Sequence, residues 1–227
     1  MFFERLLLAT SNRGKYEEFL ELLPRDKVRE LLFAPLLVSQ INPSPNPNPN
    51  PNPNPNPPQV EETGTTYATN AFLKARAWAE ASNLPCLADD SGLEVEALSW
   101  GPGVRSARVV DGTDADRNRW LLAQLERVAR KKKQDTPNDL NSNRARFVAA
   151  VALAVPFSPE KGEWTLVHEG ICNGRLGKDA RGTAGFGYDP LFIPDGYEVS
   201  FGELSSAVKN KISHRAKALQ ALLKALS

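Results

Sequence analysis

Four clusters of polar side chains, at predicted strand ends or in predicted loops, carry residue types that bind phosphate, metal ions or flat ligands. The first cluster is Thr10-Ser11-Asn12-Arg13-Gly14-Lys15. Free backbone N–H groups at the start of a helix, together with the Lys15 ammonium, form an anion site that suits phosphate. A helix-capping turn with one solvated lysine explains the same residues equally well. The cluster is not a Walker A loop, which needs glycine in place of Ala9 and serine or threonine in place of Tyr16.

The second cluster is acidic and consists of Glu61, Glu62, Asp89 and Asp90. Two neighbouring aspartates directly after a predicted buried strand are costly unless they are compensated. Ligation of Mg²⁺ and capping of a helix by one of them are the two usual resolutions, and the spacing alone leaves both open. Ser91-Gly92 follows the pair and predicts a tight turn there.

The third cluster is a glycine-rich loop at 182–189. Closely spaced glycines around Phe186 and Tyr188 allow backbone and rings to approach a flat ligand. A buried turn is the alternative interpretation. The loop lacks the Gly-x-Gly-x-x-Gly pattern and no predicted helix follows it, so it is not a dinucleotide-binding fingerprint.

The fourth cluster opens the last predicted helix and contains Lys209, Lys211, Ser213, His214 and Arg215. Its cations suit an anionic ligand, although a lone histidine among basic residues is often a surface residue. Taken together, two cationic ends, an acidic metal site and an aromatic-glycine platform suit a Mg²⁺-bound nucleoside triphosphate. The clusters do not by themselves specify which reaction follows.

These clusters must be positioned by the predicted strands and helices. Because strands and helices do not strictly alternate along the sequence, we predict an α/β sheet with an antiparallel portion. Apolar runs predict strands at 4–9, 31–38, 85–88, 93–98, 147–155, 163–172 and 190–193, with 147–155 and 163–172 as an antiparallel pair. Helical periodicity predicts a first helix that ends before Pro24 and further helices at 65–82, 114–130 and 209–226. Residues 131–143 are predicted to be a polar connection.

Composition excludes several classes of protein. The 227 residues carry 28 Lys and Arg against 27 Asp and Glu, a formal net charge of +1, which argues against bulk electrostatic binding of nucleic acid. No apolar run approaches the ~20 residues that cross a bilayer, and the N-terminus lacks a signal-peptide pattern, so no membrane partner is expected. Cys86 and Cys172 cannot form a disulfide framework, and we expect reduced thiols in a cytoplasmic protein.

A low-complexity insert of Asn-Pro repeats occupies 42–58 and holds nine of the 18 prolines. Proline cannot donate a backbone hydrogen bond and biases the preceding residue toward extended conformations. We interpret the insert as a solvated loop extension without a role, the alternative being a recognition segment for a partner domain. The sequence therefore predicts one domain over 1–227 with this insert.

Six ordered motifs resemble the noncanonical purine NTP pyrophosphatases, the Ham1-like family also called dITP/XTP or inosine triphosphate pyrophosphatases. They cover nearly the whole chain outside the insert. The motifs are Ala9–Lys15, Glu62–Gly64, Ala88–Leu93, Pro102–Arg108, Gly185–Pro190 and Ile212–Arg215.

The resemblance implies an elongated two-lobed α/β fold with a mixed sheet and the active site in the cleft between the lobes. It implies hydrolysis of dITP, ITP and XTP to the monophosphate and pyrophosphate, with Mg²⁺ as cofactor, in a homodimer. A related Maf-like pyrophosphatase of other modified nucleotides, and a catalytically silent nucleotide-binding protein, are the alternatives.

The resemblance also assigns roles to individual residues. Asp90 is expected to be the catalytic carboxylate, and Glu62 and Asp90 the metal ligands. The triphosphate is expected at Thr10, Ser11, Asn12, Arg13, Gly14, Lys15 and Lys74, with Ser91 as a further substrate contact. The nucleoside side of the pocket is expected at Phe186, Gly187, Tyr188, Asp189, Lys209, His214 and Arg215.

Overall fold

The computed structural model describes residues 1–36, 58, 60–135, 143–159 and 162–227, and for 132–135 it describes the backbone alone. The strands are β1 (Phe3–Leu8), β2 (Val28–Phe33), β3 (Cys86–Val95), β4 (Gly101–Pro102), β5 (Arg144–Val155), β6 (Trp164–Leu176) and β7 (Phe192–Pro194). The helices are α1 (Arg13–Leu22), α2 (Tyr67–Ser82), α3 (Asp114–Asp135), α4 (Ser206–Ile212) and α5 (His214–Ala225). Short 3₁₀ turns lie at Glu96–Leu98 and Gly103–Arg108.

The strands form a mixed sheet in the order β2-β1-β3-β5-β6-β7, with β4 paired to β3. The strand β1 runs parallel to β2 and β3, whereas β3–β4 and β6–β7 are antiparallel pairs. The predicted α/β class with a mixed sheet is therefore confirmed. The predicted neighbours 147–155 and 163–172 correspond to β5 and β6, which lie side by side.

The chain divides into two compact units, and each of them is built from separated segments. Unit 1 contains residues 1–90, 150–168 and 219–227, and unit 2 contains 91–149 and 169–218. The strands β3, β5 and β6 and the helix α5 contribute residues to both units. The assignment of 1–227 to one domain stays a prediction.

In unit 1 the apolar side chains come from β1 and from one face of each neighbouring helix. Leu6, Leu7 and Leu8 are buried in β1, and Phe19 is the buried residue of α1. In α2 the buried alanines 71, 75 and 79 recur every four residues. That spacing places them on one helix face, where small side chains permit close packing. This packing holds the N-terminal half of α2, and with it the polar residues at 70 and 74, beside β3.

In unit 2 a cluster of aromatic and aliphatic side chains forms the core. The ring centroid of Phe147 lies 4.7 Å from that of Phe192 and 6.2 Å from that of Phe201. Leu93 and Leu121 join the same cluster from β3 and α3. Offset rings at such distances stabilise a core beyond their area of contact. The core thus holds α3, which precedes the glycine-rich loop in the sequence, and the segment around Phe192, which follows that loop.

The prediction of two short strands at 85–88 and 93–98 with a turn between them is wrong. One strand, β3, runs continuously from Cys86 to Val95, and nearly all of its residues are buried. Leu87 pairs with Leu8 of β1, and Glu94 pairs with Pro102 of β4. Pairing on both sides overrides the turn propensity of Ser91-Gly92. Asp89 and Asp90 therefore lie inside a strand, where the Asp89 side chain pairs with Lys15 and the Asp90 side chain contacts Lys74 and Asn70. The alternative that one of them caps a helix stays a prediction.

The prediction of one continuous helix at 209–226 is also wrong, because the helix breaks at Ser213. This residue has extended backbone angles, φ −66° and ψ 157°, and its side chain accepts a hydrogen bond from the N–H of Ala216 at 3.2 Å. Serine is a favoured N-cap residue. The apolar residues keep helical spacing on both sides of Ser213, so the sequence pattern does not reveal a break of one residue. His214 and Arg215 consequently form the first turn of α5.

Smaller differences concern element boundaries. The predicted strand at 31–38 begins earlier, as β2, and gives way to a helical turn at 34–36, while 37 and 38 lie outside the described residues. The predicted connection at 131–143 begins as helix, since α3 continues to Asp135. The Asn-Pro insert lies outside the described residues except for Pro58. Among the helices described, none is long and apolar enough to cross a membrane.

Candidate functional site

In unit 1, a group of charged side chains surrounds the ammonium of Lys74; we call it the carboxylate–lysine group. The Lys74 Nζ lies 2.7 Å from Glu62 Oε1 and 3.8 Å from Asp90 Oδ1, and it donates to the backbone oxygen of Asp89 at 2.8 Å. Glu61, by contrast, is exposed. Of the two candidate glutamates, the structure therefore brings Glu62 to Asp90. The group consists of Lys15, Glu62, Asn70, Lys74, Asp89 and Asp90.

The two aspartates of β3 have different partners. Asp89 Oδ1 forms an ion pair with Lys15 Nζ at 3.0 Å, and the Asp90 carboxylate faces Lys74 and Asn70. Successive side chains of a strand leave it on opposite faces, so neighbouring carboxylates in β3 do not act side by side. Glu62 and Asp90, which share Lys74, are consequently the pair that one cation can bridge.

Burial changes the acidity of Asp90. Its side chain is nearly inaccessible, and removal from water raises the pKa of this carboxyl above the ordinary aspartate value. Lys74 opposes that shift, the hydrogen bond from Asn70 opposes it further, and the Glu62 charge adds to it. A carboxylate with a raised pKa is a stronger base, as proton abstraction requires.

Asn70 holds Asp90 in place, and the sequence reasoning missed this residue. Its Nδ2 donates to Asp90 Oδ2 at 2.9 Å, and its Oδ1 accepts the N–H of Gly64 at 2.8 Å. The side chain is completely buried. A Cβ at Gly64 would lie 2.5 Å from Asn70 Oδ1, so only glycine permits this approach. The available signal was an asparagine on the apolar face of α2, one turn before Lys74.

The loop at 10–15 forms the helix-capping turn that was one of the two interpretations of its sequence. Asn12 is the N-cap of α1, and its Oδ1 accepts the N–H of Lys15 at 3.0 Å. Thr10 Oγ1 accepts the N–H of Asn12 at 3.1 Å, and the exposed Arg13 pairs with Glu17. Of the six residues of this loop predicted for the triphosphate, the structure places the Lys15 side chain in the carboxylate–lysine group. The six are Thr10, Ser11, Asn12, Arg13, Gly14 and Lys15.

The donor set of this group suits Mg²⁺. Glu62 and Asp90 supply hard carboxylate oxygens around one position that an ammonium contacts in the structure. Among the described residues, no group of three or more His, Cys, Asp or Glu side chains could hold a metal ion. Mg²⁺ usually takes one or two carboxylates together with substrate phosphates and water rather than an all-protein cage. The residues present therefore fit a metal ion that arrives with a nucleotide.

Unit 2 contains the second group, which we call the aromatic–cation group; its members are Ser91, Phe186, Lys209, His214 and Arg215. The Lys209 Nζ lies 5.1 Å from the ring centroid of Phe186, and the Arg215 Cζ lies 5.5 Å from it. Arg215 also donates to Ser91 Oγ at 3.1 Å and is only 1% exposed. Cations at this distance from an aromatic ring are attracted to it. Phe186 is half-buried, so part of its ring can meet a ligand.

The residues after Phe186 hold the loop together. Asp189 is buried and pairs with Lys209 Nζ at 2.5 Å, and its Oδ2 also accepts the N–H of Phe186 at 2.8 Å. The buried Tyr188 donates its hydroxyl to the backbone oxygen of Ser106 at 2.9 Å, and burial raises the pKa of this phenol to about 12. At Tyr188 and Asp189 the buried-turn interpretation is therefore confirmed, whereas Phe186 and Gly187 stay partly exposed.

His214 is not a surface residue, contrary to one of the two interpretations of its cluster. It is 4% exposed, and its ring stacks on Phe147 with centroids 4.7 Å apart and planes inclined by 12°. The first turn of α5 approaches β6 so closely that a Cβ at Gly170 would lie 2.2 Å from the backbone oxygen of His214. Glycine at this position is what allows His214 and Arg215 to be buried together.

The chain is similar to known proteins over nearly its whole length. The sequence profile of the Ham1 family matches residues 6–225. The chain belongs to the Ham1 family. A dITP/XTP pyrophosphatase of Aquifex aeolicus is 39% identical over 222 residues, which are 98% of this chain and 96% of that relative. A dITP/XTP pyrophosphatase of Nocardia farcinica is 47% identical over 174 residues, 74% of this chain and 76% of that relative.

The fold is shared with solved Ham1-family structures as well. The structure of a HAM1 protein from Coxiella burnetii has a TM-score of 0.74 against this chain, at 32% identity, and covers 98% of each chain. Both groups of side chains described above therefore belong to a Ham1-family fold. The motifs that carry the resemblance contain Lys15, Glu62, Asp89 and Asp90 of the carboxylate–lysine group and Ser91, Phe186, His214 and Arg215 of the aromatic–cation group, whereas Asn70, Lys74 and Lys209 lie outside them.

Proposed function

We propose that this Ham1-family chain hydrolyses the noncanonical purine nucleoside triphosphates dITP, ITP and XTP to the monophosphate and pyrophosphate, and so clears them from the nucleotide pool. Curated relatives at 39% and 47% identity bear the name dITP/XTP pyrophosphatase. The observation that carries the proposal is the buried Asp90 carboxylate, which accepts a hydrogen bond from Asn70 at 2.9 Å and is flanked by Lys74. A protein that only binds nucleotides has no need of such a base.

Asp90 is the proposed catalytic residue. It accepts a proton from the water that attacks the α-phosphorus, and the bond to the bridging oxygen of the leaving pyrophosphate breaks. The Asn70 side chain fixes the carboxylate so that one oxygen stays directed at the water. The proton passes to Asp90, and the negative charge passes to pyrophosphate.

Lys15 and Lys74 are proposed to offset the charge that grows on the pyrophosphate. In the structure both ammonium groups are engaged with carboxylates, Lys15 with Asp89 and Lys74 with Glu62. Glu62 and Asp90 are the proposed ligands of Mg²⁺, which, when bound, neutralises the triphosphate and polarises its oxygens. With Glu62 and Asp90 engaged by such an ion, the Lys74 ammonium would be available to the phosphates.

Base selection is proposed to rest on Arg215 and Phe186. Hypoxanthine and xanthine carry a 6-keto oxygen, which accepts hydrogen bonds, whereas adenine carries an amino donor there. The backbone N–H groups of Phe186 and Gly187 already donate to Asp189 and Asp114. The proposed donor to the 6-keto oxygen is the guanidinium of Arg215, whose Cζ lies 5.5 Å from the Phe186 ring centroid, with the buried His214 next to it in the sequence. A site built for one hydrogen-bonding group can reject its mismatch by about 10⁴–10⁵-fold.

A substrate panel tests the proposed function. We expect rapid release of pyrophosphate from dITP and XTP with Mg²⁺, far slower release from ATP, and none after chelation of the metal. Turnover confined to dUTP or methylated GTP would instead indicate a Maf-like pyrophosphatase. Nucleotide binding without any release of pyrophosphate would indicate a silent binding protein. Inorganic phosphate as the first product would contradict attack at the α-phosphorus.

We further propose that the protein acts as a homodimer in the cytoplasm, as the family resemblance implies. Light scattering on the purified chain tests the oligomeric state and should return twice the chain mass of 24.9 kDa. A mass equal to that of one chain would contradict the dimer while leaving the reaction unaffected.

A further inference from the structure

The start of α3 holds the glycine-rich loop at one residue, Gly187. Asp114 Oδ2 accepts the N–H of Gly187 at 2.7 Å, and Asn118 Nδ2 donates to the carbonyl oxygen of Gly187 at 3.0 Å. Residues four apart on a helix lie on the same face, so one side of α3 engages both backbone groups of Gly187. All of these residues belong to unit 2. We call this arrangement the Gly187 clamp.

The clamp fixes a backbone conformation that few other residues adopt. Gly187 has φ +63°, in the left-handed region, although a Cβ there would meet nothing within 4 Å. The glycine is therefore required by its backbone angle and not by crowding. Fixing the peptide groups at Gly187 also fixes the Cα of Phe186 directly before it, and hence the position of a ring that lies 5.5 Å from the Arg215 Cζ.

Stability alone does not explain Asn118. The side chain is 7% exposed, and its Oδ1 has no hydrogen-bond partner within the described part of the chain. A buried acceptor without a partner costs free energy, which an apolar residue would avoid. Asp114 already engages Arg117 through its Oδ1, so its second oxygen is the one directed to Gly187. Two polar side chains are thus committed to one loop residue.

We propose that Asp114 and Asn118 are positioning residues that set the place of Phe186 relative to Arg215, and through it the selection of the purine base. This inference rests on the proposed function, in which those two residues meet the base. In this proposal both clamp residues act through Gly187 and not by contact with the nucleotide. Their loss weakens the preference for dITP over dATP without touching the carboxylate–lysine group.

The decisive variant is Asn118→Ala, measured with dITP and dATP. Loss of one hydrogen bond lowers kcat/KM for dITP by about five- to tenfold, mainly through KM, and leaves kcat/KM for dATP nearly unchanged. The ratio of the two therefore falls by the same factor. The melting temperature should stay close to that of the wild type, because the unpaired Oδ1 is removed together with the hydrogen bond.

A second pair of variants, Asp114→Asn and Asp114→Ala, distinguishes loss of the hydrogen bond from loss of the folded structure. Asp114→Asn keeps an oxygen that accepts the N–H of Gly187, so it should preserve most of the selectivity that Asp114→Ala loses. Asp116→Asn is the matched control, since Asp116 lies on the same first turn but bonds Thr113 and Arg119 and not the loop. An unchanged dITP to dATP ratio in Asn118→Ala, or an equal loss in Asp116→Asn, would overturn the clamp.

The wild-type measurement separates this inference from the proposed function. A wild-type protein that fails to prefer dITP contradicts the proposed function itself. A selective wild-type protein whose preference for dITP survives Asn118→Ala contradicts only the clamp.

Discussion

The carboxylate–lysine group of unit 1 and the aromatic–cation group of unit 2 differ in charge and in the part of a nucleotide they suit. The first contains three carboxylates, Glu62, Asp89 and Asp90, against two lysines, an excess of negative charge that suits a divalent cation. The second contains two cations, Lys209 and Arg215, beside an aromatic ring, and the neighbouring Asp189, which pairs with Lys209, leaves an excess of positive charge there. The net charge of the chain, +1, does not reveal that it contains these two groups of opposite charge.

We expect the two groups to contribute separately to the rate and to the selectivity of the proposed reaction. Phosphates are common to all nucleoside triphosphates, so changes in the carboxylate–lysine group should alter turnover of every substrate by a similar factor. Bases differ, so changes in the aromatic–cation group should alter the ratio between substrates. Variants in the two groups test this division.

The largest effect is expected from Asp90→Asn. Loss of the proposed base lowers kcat by at least about a hundredfold on dITP and on any slower substrate alike. Asparagine retains an oxygen that can accept the hydrogen bond from Asn70, so the fold is kept. Single-turnover assays with dITP and dATP measure both losses. Near-wild-type turnover would remove Asp90 from the mechanism.

The same variant should not lower the melting temperature at neutral pH. In the folded protein the pKa of Asp90 lies above its value in the unfolded chain, so the native state loses stability as the pH rises through that interval. Asparagine carries no charge to be buried. Thermal unfolding at two pH values, one below and one above the interval, checks the sign.

A smaller but selective effect is expected from Arg215→Ala. Loss of the donor to the 6-keto oxygen should lower kcat/KM for dITP by roughly tenfold or more, and that for dATP by less. Lys217→Ala is the matched control, because Lys217 lies on the same helix but is exposed and donates to the backbone oxygen of Ile171. Equal losses on both substrates would mean that Arg215 serves the phosphates.

Asn70→Ala should sharpen the comparison within unit 1. We expect a loss of about tenfold in kcat, equal for dITP and dATP, because the base is less well oriented. The hydrogen bond from Asn70 lowers the pKa of Asp90, so its removal shifts the acid limb of the pH–rate profile to higher pH. An unshifted limb, or a change in the dITP to dATP ratio, would contradict the positioning role.

Deletion of 42–58 should have the smallest effect. The insert contains no residue of either group, and we expect kcat/KM for dITP to stay within about twofold of wild type. Lost activity would support the alternative that the Asn-Pro tract has a role of its own. The same assay panel measures this variant.

Much of the fold followed from apolar periodicity, and each of the two main exceptions has a physical cause. The helix predicted at 65–82 is confirmed as α2, because its apolar face repeats over four turns. The turn predicted at Ser91-Gly92 is absent, because strand pairing on both sides of β3 outweighs a local preference. The break at Ser213 was hidden for the converse reason, since one capping serine changes little in a helical pattern.

Residue types and their order in the sequence determined the family, the mixed α/β class and the chemistry of the carboxylates and lysines. Only the tertiary structure decided which of them meet: Glu62 and not Glu61 reaches Lys74, and Asp89 and Asp90 take separate lysines. Only the tertiary structure also revealed Asn70 and Asn118. Both form hydrogen bonds with residues distant in sequence. The residues around an asparagine in the sequence do not indicate such a distant partner, because the two meet only in the folded chain.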